Sequence, residues 1–221
     1  PGQYEVTKRY RGIRRMADEG HLFRATLKEA AMNMGRRITF MAKPFDGVTG
    51  NSCHIHMSLT DKDGKNIFAA PEQPDHISDT CRYFIGGVIK HMPELTAIFF
   101  PNANSYRRLV PANFAPISLV WGIDNRTTAI RVLNETPEAT RAELRVCGGD
   151  IHVHLAFAAY LAAGLDGIAK NIDPGAASSG DLDEQNVKRL PDDWGKALDA
   201  FDGSDWVKEA LGEEFCRNYS V

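Results

Sequence analysis

The chain has 221 residues, and its 43% hydrophobic content is enough to build a substantial core in one large domain or two small ones. The formal net charge of -3 argues against a protein that binds nucleic acid or an anionic membrane surface, so we expect neither partner. The longest apolar run, residues 155–165, is too short to span a bilayer, and the four cysteines are widely spaced, as in reduced cytosolic proteins. We therefore expect a cytoplasmic protein.

Two elements are predicted before residue 50. Apolar spacing predicts helix over residues 6–34, in two pieces broken near Gly20, and Gly35 ends it. Residues 37–44 are rich in branched and aromatic side chains and close at a proline, which predicts a strand.

The next segment alternates strictly between polar and apolar residues. His54, His56 and Ser58 share one face of a predicted strand. Turn residues follow, and they make residues 54–68 a predicted hairpin. A lone His-x-His pair more often packs or forms hydrogen bonds than binds metal, but Gly50 before it lets a ligand approach the backbone closely.

The rest of the chain is predicted to contain both helices and strands. Ser78 caps a predicted helix that runs to residue 99 and is kinked or split at Pro93. Three strands are predicted at residues 117–121, 128–133 and 142–146, then a buried helix at 154–168, a loop at 173–180 and short helices from 191 onward.

Arginine is concentrated in about forty residues, as Arg107, Arg108, Arg126, Arg131, Arg141 and Arg145. In residues 141–145, strand alternation places Arg141, Glu143 and Arg145 on one face. Taken alone, this pentapeptide favours a solvated face of surface ion pairs. Guanidinium groups around a carboxylate also suit a site that holds phosphate, carboxylate and metal together.

Two pairs of these arginines can be placed more closely. Arg126 and Arg131 have opposite strand parity, so a regular strand cannot aim both at one point. We therefore place Arg126 in the turn before the strand, from where it could still converge with Arg131. Of the adjacent Arg107 and Arg108, one is expected to be structural.

Candidate metal ligands are few. Glu5 and Glu143 are the carboxylates that could join His54, although each could equally be a surface acid. Imidazole together with carboxylate oxygens suits Mg²⁺ or Mn²⁺ sites that also hold substrate phosphates.

Five segments, in order and spacing, resemble the catalytic domain of the glutamine synthetase superfamily. They are residues 50–59 (GNSCHIHMSL), 104–116 (NSYRRLVPANFAP), 121–132 (WGIDNRTTAIRV), 141–145 (RAELR) and 162–168 (AAGLDGI). The resemblance implies an α+β fold in which helices flank a curved, mainly antiparallel sheet. It also implies that residues 1–221 form one catalytic domain, with a variable C-terminal loop and helices in residues 173–221.

The resemblance implies an ATP-dependent ligase. Enzymes of this superfamily phosphorylate the γ-carboxylate of glutamate, and an amine or ammonia then attacks the γ-glutamyl phosphate to give an amide. The implied substrates are ATP, glutamate and the amine or ammonia, and the implied cofactor is Mg²⁺ or Mn²⁺.

The resemblance also implies a role for each candidate residue. The metal ligands would be Glu5, His54 and Glu143. The residues that hold glutamate would be Gly50, Arg108 and Arg145. The residues that bind the nucleotide would be His56, Ser58, Arg126, Arg131 and Arg141. Arg126 and Arg145 would also be catalytic, because phosphoryl transfer needs cations near the developing oxygen charge.

One departure from the family pattern bears on the substrate. Glutamine synthetases have a flap glutamate, which binds and deprotonates ammonium, where this chain has Phe114. A phenyl ring can do no acid–base work and suits a larger, less polar amine, so we favour an organic amine over ammonia. A true glutamine synthetase and a non-catalytic structural or regulatory module are the alternatives.

Two other segments also differ from the family. Residues 147–154 (CGGDIHVH) stand where the family usually has Asn-Pro-Tyr, and we expect His152 and His154 to begin the buried helix rather than to bind metal. Residues 181–184 do not match the loop whose tyrosine is adenylylated, so that form of regulation is not expected.

The start of the chain predicts a fragment. It has no initiator methionine and lacks the family's amino-terminal β-grasp domain, along with the upstream glutamates that share the metals with Glu5. In the family, that domain comes from a neighbouring subunit of a double-ringed oligomer and completes each active site. We therefore expect a ring in the full-length parent, and little or no catalysis from these 221 residues alone.

Overall fold

The computed structural model describes residues 2–109, 118–180, 182 and 187–220. Its helices are α1 (Ile13–Asn33), α2 (Asp79–His91), α3 (Thr96–Phe99), α4 (Ala103–Tyr106), α5 (Val153–Lys170), α6 (Trp194–Asp202), α7 (Asp205–Leu211) and α8 (Glu213–Tyr219). Its strands are β1 (Ile55–Met57), β2 (Trp121–Ile123), β3 (Ile130–Leu133) and β4 (Arg141–Leu144). Across the described ranges, no helix is long and apolar enough to cross a membrane.

The four strands form one sheet in the order β1-β4-β3-β2. β4 is antiparallel to both of its neighbours, whereas β2 and β3 run parallel. The α+β fold with a mainly antiparallel sheet is therefore confirmed. One side of the sheet is apolar and packs into a core shared with α2 and α5, which includes Ile130, Ala142, Leu144, Phe84 and Tyr160.

Helices α2 and α5 cross at glycines. A Cβ atom on Gly87 of α2 would overlap the carbonyl oxygen of Ala163, and one on Gly164 of α5 would overlap the ring of Phe84. Glycine at these positions lets the two helices pack with their backbones almost in contact. The buried helix predicted at residues 154–168 is thus confirmed as α5.

The predicted start and interruption of the long helix are confirmed. Ser78 caps α2, because its Oγ accepts a 3.1 Å hydrogen bond from the backbone N–H of Cys81. α2 ends at His91 and α3 begins at Thr96, so the helix is split around Pro93, which has no N–H to donate.

Three sequence predictions were wrong. α1 begins at Ile13 and continues unbroken through Gly20, which lies against α5 and leaves room for a Cβ atom 3.5 Å from Val153. Residues 37–44 form no strand, because the backbone N–H and C=O of Lys43 pair with the side chain of Asn104 instead of a neighbouring strand. The hairpin predicted at residues 54–68 exists only at its tip, where Thr60 and Asn66 form an antiparallel bridge, and β1 pairs with β4 instead.

Candidate active site

Glu143 lies in the middle of the sheet, opposite polar residues on both neighbouring strands. The register places His56 of β1 and Arg131 of β3 directly across from it. Residues opposite each other on adjacent strands project to the same face, so the three side chains lie side by side. The alternation predicted for residues 141–145 holds, but the interpretation as a solvated surface is wrong, since Glu143 is only 2% exposed.

Four basic side chains surround the Glu143 carboxylate. Its Oε1 lies 2.6 Å from Nη1 of Arg145, 3.1 Å from Nδ1 of His54 and 3.7 Å from Nε2 of His56. Its Oε2 accepts a 3.2 Å hydrogen bond from Nη1 of Arg131. Burial alone raises the pKa of Glu143, but the hydrogen bond from His54 and the charge of Arg145 outweigh it and lower the pKa to about 2. The carboxylate therefore stays ionised near neutral pH and is a ligand or charge partner, not a general base.

Arg131 is shared between two acids. Besides Glu143 it contacts Asp124, whose Oδ1 accepts a 2.9 Å hydrogen bond from Nε of Arg131. This hydrogen bond and the arginine charge lower the pKa of Asp124. Asp124 was not predicted from the sequence, and the available signal was its place in an Asp-Asn turn after β2, where its φ of 46° is left-handed.

Arg126 lies in the turn before β3, as predicted. Its carbonyl oxygen accepts a 3.2 Å hydrogen bond from Nε of Arg145, which is itself 7% exposed. Burial lowers the pKa of Arg145, and attraction to Glu143 acts in the opposite direction. Repulsion from Arg131 and Arg126 lowers the pKa further. Arginine keeps its charge in proteins, so three guanidinium groups here repel one another, and a bound anion would relieve that repulsion.

Arg108 is buried beside the backbone of Gly50. It is 2% exposed and donates to the carbonyl oxygen of Val146 at 3.2 and 3.3 Å, and to Oγ of Ser52 at 3.3 Å. A Cβ atom on Gly50 would lie 2.5 Å from Cγ of Arg108, so only glycine permits this approach. Burial lowers the pKa of Arg108, and no described carboxylate forms a salt bridge with it, which suits a bound carboxylate.

His56, Ser58 and Arg141 lie at the open side of the cluster. Nε of Arg141 donates a 3.1 Å hydrogen bond to Nδ1 of His56. Burial lowers the pKa of His56, and attraction to Glu143 acts in the opposite direction. The charge of Arg141 lowers the pKa further. Ser58 is exposed one residue past the end of β1. The neutral imidazole of His56 and the guanidinium of Arg141 therefore face solvent beside the pair formed by Arg131 and Glu143.

Two of the three predicted metal ligands are together. Nε2 of His54 is buried without a hydrogen-bond partner, while its other nitrogen contacts Glu143. The unpartnered Nε2 is one potential metal donor, and the ionised Glu143 carboxylate, which contacts the opposite edge of the ring, is another. Glu5 is exposed, and among the described residues it forms no hydrogen bond or salt bridge with His54 or Glu143. Across those same ranges, no three His, Cys, Asp or Glu side chains are positioned to coordinate a metal as they stand.

The amino-terminal segment nevertheless reaches the site. Nε2 of Gln3 donates hydrogen bonds of 2.9 Å to the carbonyl oxygen of Gly50 and to Oδ1 of Asn51. Glu5 is therefore two residues from a contact with the Gly50 backbone.

Two further positions complete the inventory of the site. Phe114, on which the preference for an organic amine depends, lies outside the described residues.

Asp150 was not predicted from the sequence. Its Oδ2 accepts hydrogen bonds from Ser105 at 2.7 Å and Asn102 at 3.0 Å, while its Oδ1 is buried without a partner. It fixes α4, the helix that leads into Arg108.

The comparison with family models decides the family. The model for the catalytic domain of glutamine synthetase matches residues 1–221. The chain belongs to the glutamine synthetase family. The resemblance in the five sequence segments is thereby confirmed.

Similar proteins carry two kinds of name. Glutamine synthetase from Methanosarcina mazei is 39% identical over 99% of this chain and 51% of its own length. Gamma-glutamylethanolamide synthetase GlnA4 from Streptomyces coelicolor is 36% identical over 99% of this chain and 46% of its own length. A solved structure described as apo GmaS without ligand has a TM-score of 0.82 at 36% identity, covering 92% of this chain and 47% of that one. The chain thus spans about half the length of these relatives.

Proposed function

We propose that this chain is part of an ATP-dependent ligase that joins an amine or ammonia to the γ-carboxylate of glutamate through γ-glutamyl phosphate. The observation that carries this proposal is the buried Glu143 carboxylate, held between His54, His56, Arg131 and Arg145 in a glutamine synthetase catalytic domain. Family membership supports the use of ATP and a divalent metal.

The arginines have the charge that phosphoryl transfer requires. Arg126 and Arg131 bind the nucleotide phosphates, with His56, Ser58 and Arg141 along the rest of the nucleotide. Arg145 lies next to Glu143 and stabilises the negative charge that develops on the transferred phosphoryl oxygens. Arg126 acts with Arg145 in this step.

The glutamate substrate is held by Gly50 and Arg108. The buried guanidinium of Arg108 supplies a cation for a carboxylate, and the absence of a side chain on Gly50 leaves its backbone open to the substrate. Arg145 contacts the γ-carboxylate end. These contacts orient glutamate toward the arginines that bind phosphate.

The metal is Mg²⁺ or Mn²⁺. His54 and Glu143 would hold it as imidazole and carboxylate ligands, Glu143 in its ionised form, and Glu5 would contribute a ligand to a second metal. When bound, a divalent metal would supply positive charge that neutralises the phosphate oxygens. The carboxylates of Glu143 and Glu5 are oxygen donors of the kind that these hard ions prefer.

We favour an organic amine as the nucleophile. Phe114 replaces an acid–base residue with an apolar ring, which suits an amine that carries carbon. The similarity to a protein named gamma-glutamylethanolamide synthetase, at 36% identity, supports this choice, although the similarity to the Methanosarcina mazei glutamine synthetase is higher, at 39%. A non-catalytic module is disfavoured, because it has no reason to keep charges buried around Glu143.

The full-length protein is proposed to assemble into a ring. α1 supports this, since only Ala17 of that helix is buried, while Leu22 and Met32 are 61% and 72% exposed and Met34, just after the helix, is 73% exposed. Apolar side chains at this density on one helix suit a partner surface. Light scattering of full-length protein tests the proposal, and a monomer would contradict it.

Phosphate release by the full-length protein tests the ligase and its nucleophile together. ATP and glutamate are supplied with ammonium, methylamine, ethanolamine or putrescine in parallel. The proposal predicts glutamate-dependent phosphate release that is faster with an organic amine than with ammonium. A preference for ammonium would overturn the choice of nucleophile alone, and no amine-dependent release at all would overturn the ligase.

A further inference from the structure

Three histidine rings from two helices come together outside the Glu143 site. His21 lies on α1, His152 is the N-cap residue of α5, and His154 lies in the first turn of α5. The ring centroids are 5.5 Å apart for His152 and His154, and 6.2 Å apart for each of the two pairs that include His21. Each ring therefore has the other two as neighbours.

His154 has one nitrogen engaged and one without a partner. Its Nε2 lies 2.8 Å from Oδ1 of Asp18, one turn before His21 on α1. Its Nδ1 is buried and has no hydrogen-bond partner. A neutral imidazole that donates Nε2–H to a carboxylate keeps a lone pair on Nδ1. A buried nitrogen with an unused lone pair requires a partner, and a metal ion supplies one.

This pairing of contacts is the one that histidine ligands of metals make. A ligating histidine usually donates its other N–H to a carboxylate, which fixes the tautomer and the orientation of the ring. Asp18 stands in that relation to His154. The sequence prediction that His152 and His154 begin the helix is confirmed by their places in α5, and the second half of that prediction, that they are not ligands, is what we revise.

We propose that His21, His152 and His154 form a zinc-binding site, with Asp18 as the residue that positions His154. Zn²⁺ is commonly bound by imidazole nitrogens in tetrahedral sites, whereas Mg²⁺ and Mn²⁺ prefer oxygen. With Zn–N bonds of about 2 Å in tetrahedral geometry, two ligating rings have centroids about 5 Å apart. The three rings are therefore close to the required spacing.

The site closes when the metal binds. As they stand, the described residues present no preformed group of three ligands, so the rings must approach by about an ångström to reach tetrahedral spacing. His21 and His152 are exposed and can turn without leaving a packed position. Closure ties α1 to α5 at a place where α1 otherwise buries only Ala17.

Ring-resolved NMR tests the site. Zinc chloride is titrated into the 221-residue chain, and the imidazole nitrogens of its seven histidines are followed in long-range ¹H–¹⁵N spectra. We predict that the rings of His21, His152 and His154 shift together and that excess Mg²⁺ does not reproduce the shift. Zinc bound by His54 or His56 would shift those rings instead, so the two sites are separated by the readout.

Two variants complete the test. The double substitution His152→Ala, His154→Ala should abolish the joint shift and the rise in thermal stability that zinc gives the parent chain. Asp18→Asn, which keeps the size of the side chain, should weaken zinc binding about tenfold, whereas Glu29→Gln, an exposed acid on the same helix, should not change it. Circular dichroism confirms that each variant is folded.

Other outcomes of the same experiments would contradict the proposal. Zinc that leaves the three rings unshifted, or that shifts only one of them, overturns the proposal. So does zinc binding of unchanged affinity in the double variant. Equal affinities in Asp18→Asn and Glu29→Gln overturn the role assigned to Asp18.

Discussion

At the scale of single residues, Glu143 shows how a charged side chain becomes stable in a nearly dry position. Burial opposes its ionisation, and the four basic groups around it reverse that effect and lower its pKa to about 2. None of this follows from the residues 141–145 alone, since His56 and Arg131 reach Glu143 only through pairing of β1 and β3 with β4. The alternation was predictable, and the burial was not.

Replacing Glu143 with glutamine should destabilise the chain and change its pH dependence. The variant leaves Arg145 and Arg131 without a buried counter-charge, which we expect to cost about 3 kcal/mol of unfolding free energy at pH 7. Because the pKa falls from 4.5 to about 2 on folding, the stabilisation by ionised Glu143 is complete above its unfolded value and is lost as pH drops toward 2.

Urea unfolding of both chains between pH 7 and pH 3 measures this. The difference in unfolding free energy should be constant near neutral pH and narrow below pH 4.5. Glu138→Gln, an exposed loop acid, is the matched control and should show no such trend. A difference that stays constant down to pH 3 would contradict the assigned pKa.

Gly50 tests the close approach of Arg108 to the backbone. Alanine at this position would place its Cβ atom 2.5 Å from both Cγ of Arg108 and the carbonyl oxygen of Ala42. We expect a loss of about 2 kcal/mol in unfolding free energy from this overlap. In Gly12→Ala the added atom meets nothing within 4 Å, and this variant should lose only about 0.5 kcal/mol in the same urea titration, because alanine is a poorer N-cap residue for α1 than glycine. Equal stability of the two variants would contradict the packing described for Arg108.

At the scale of elements, one helix start and one helix interruption were predictable from local residues, and strand pairing was not. The cap at Ser78 and the break at Pro93 depend on residues within one turn, and both were predicted correctly. β1 was assigned to a local hairpin because the turn after it is strong, yet its partner is β4, more than eighty residues away. The pairing of β1 with β4 places the polar side chains around Glu143 on one face of the sheet and apolar side chains on the other face. These side chains come from separate segments, so no single segment predicts the pairing.

Two glycines in helices should respond in opposite ways to the same substitution. Gly87→Ala places a Cβ atom against the carbonyl oxygen of Ala163 at the crossing of α2 and α5, and should lower the unfolding free energy by about 2 kcal/mol or more. Gly20→Ala meets only Val153 at an ordinary 3.5 Å, and should raise it by about 1 kcal/mol because alanine favours helix. Thermal unfolding of both variants decides this, and two changes of the same sign would contradict the packing described here.

At the scale of the whole molecule, the sheet collects charges that are scattered along the sequence. His54, His56, Arg131, Glu143 and Arg145 meet on its polar face, while Gly50 and Arg108 meet beside it. The five segments named the family correctly, and the catalytic-domain match extends over all 221 residues. Glu5 and Phe114 could not be placed in the same way, since Glu5 touches neither His54 nor Glu143 among the described residues and Phe114 lies outside them. Their roles depend on the full-length protein.

The most direct test of the ligase is phosphate release by full-length protein and by its Glu143→Gln variant, with ATP, glutamate, Mg²⁺ or Mn²⁺ and the preferred amine. Glutamine keeps the size of the side chain but removes the charge that balances Arg145 and that we propose holds the metal. We predict amine-dependent release by the parent and a fall of about 100-fold or more in the variant, with Glu138→Gln unchanged. A variant that retains the parent rate would contradict the account of Glu143 as the centre of the active site.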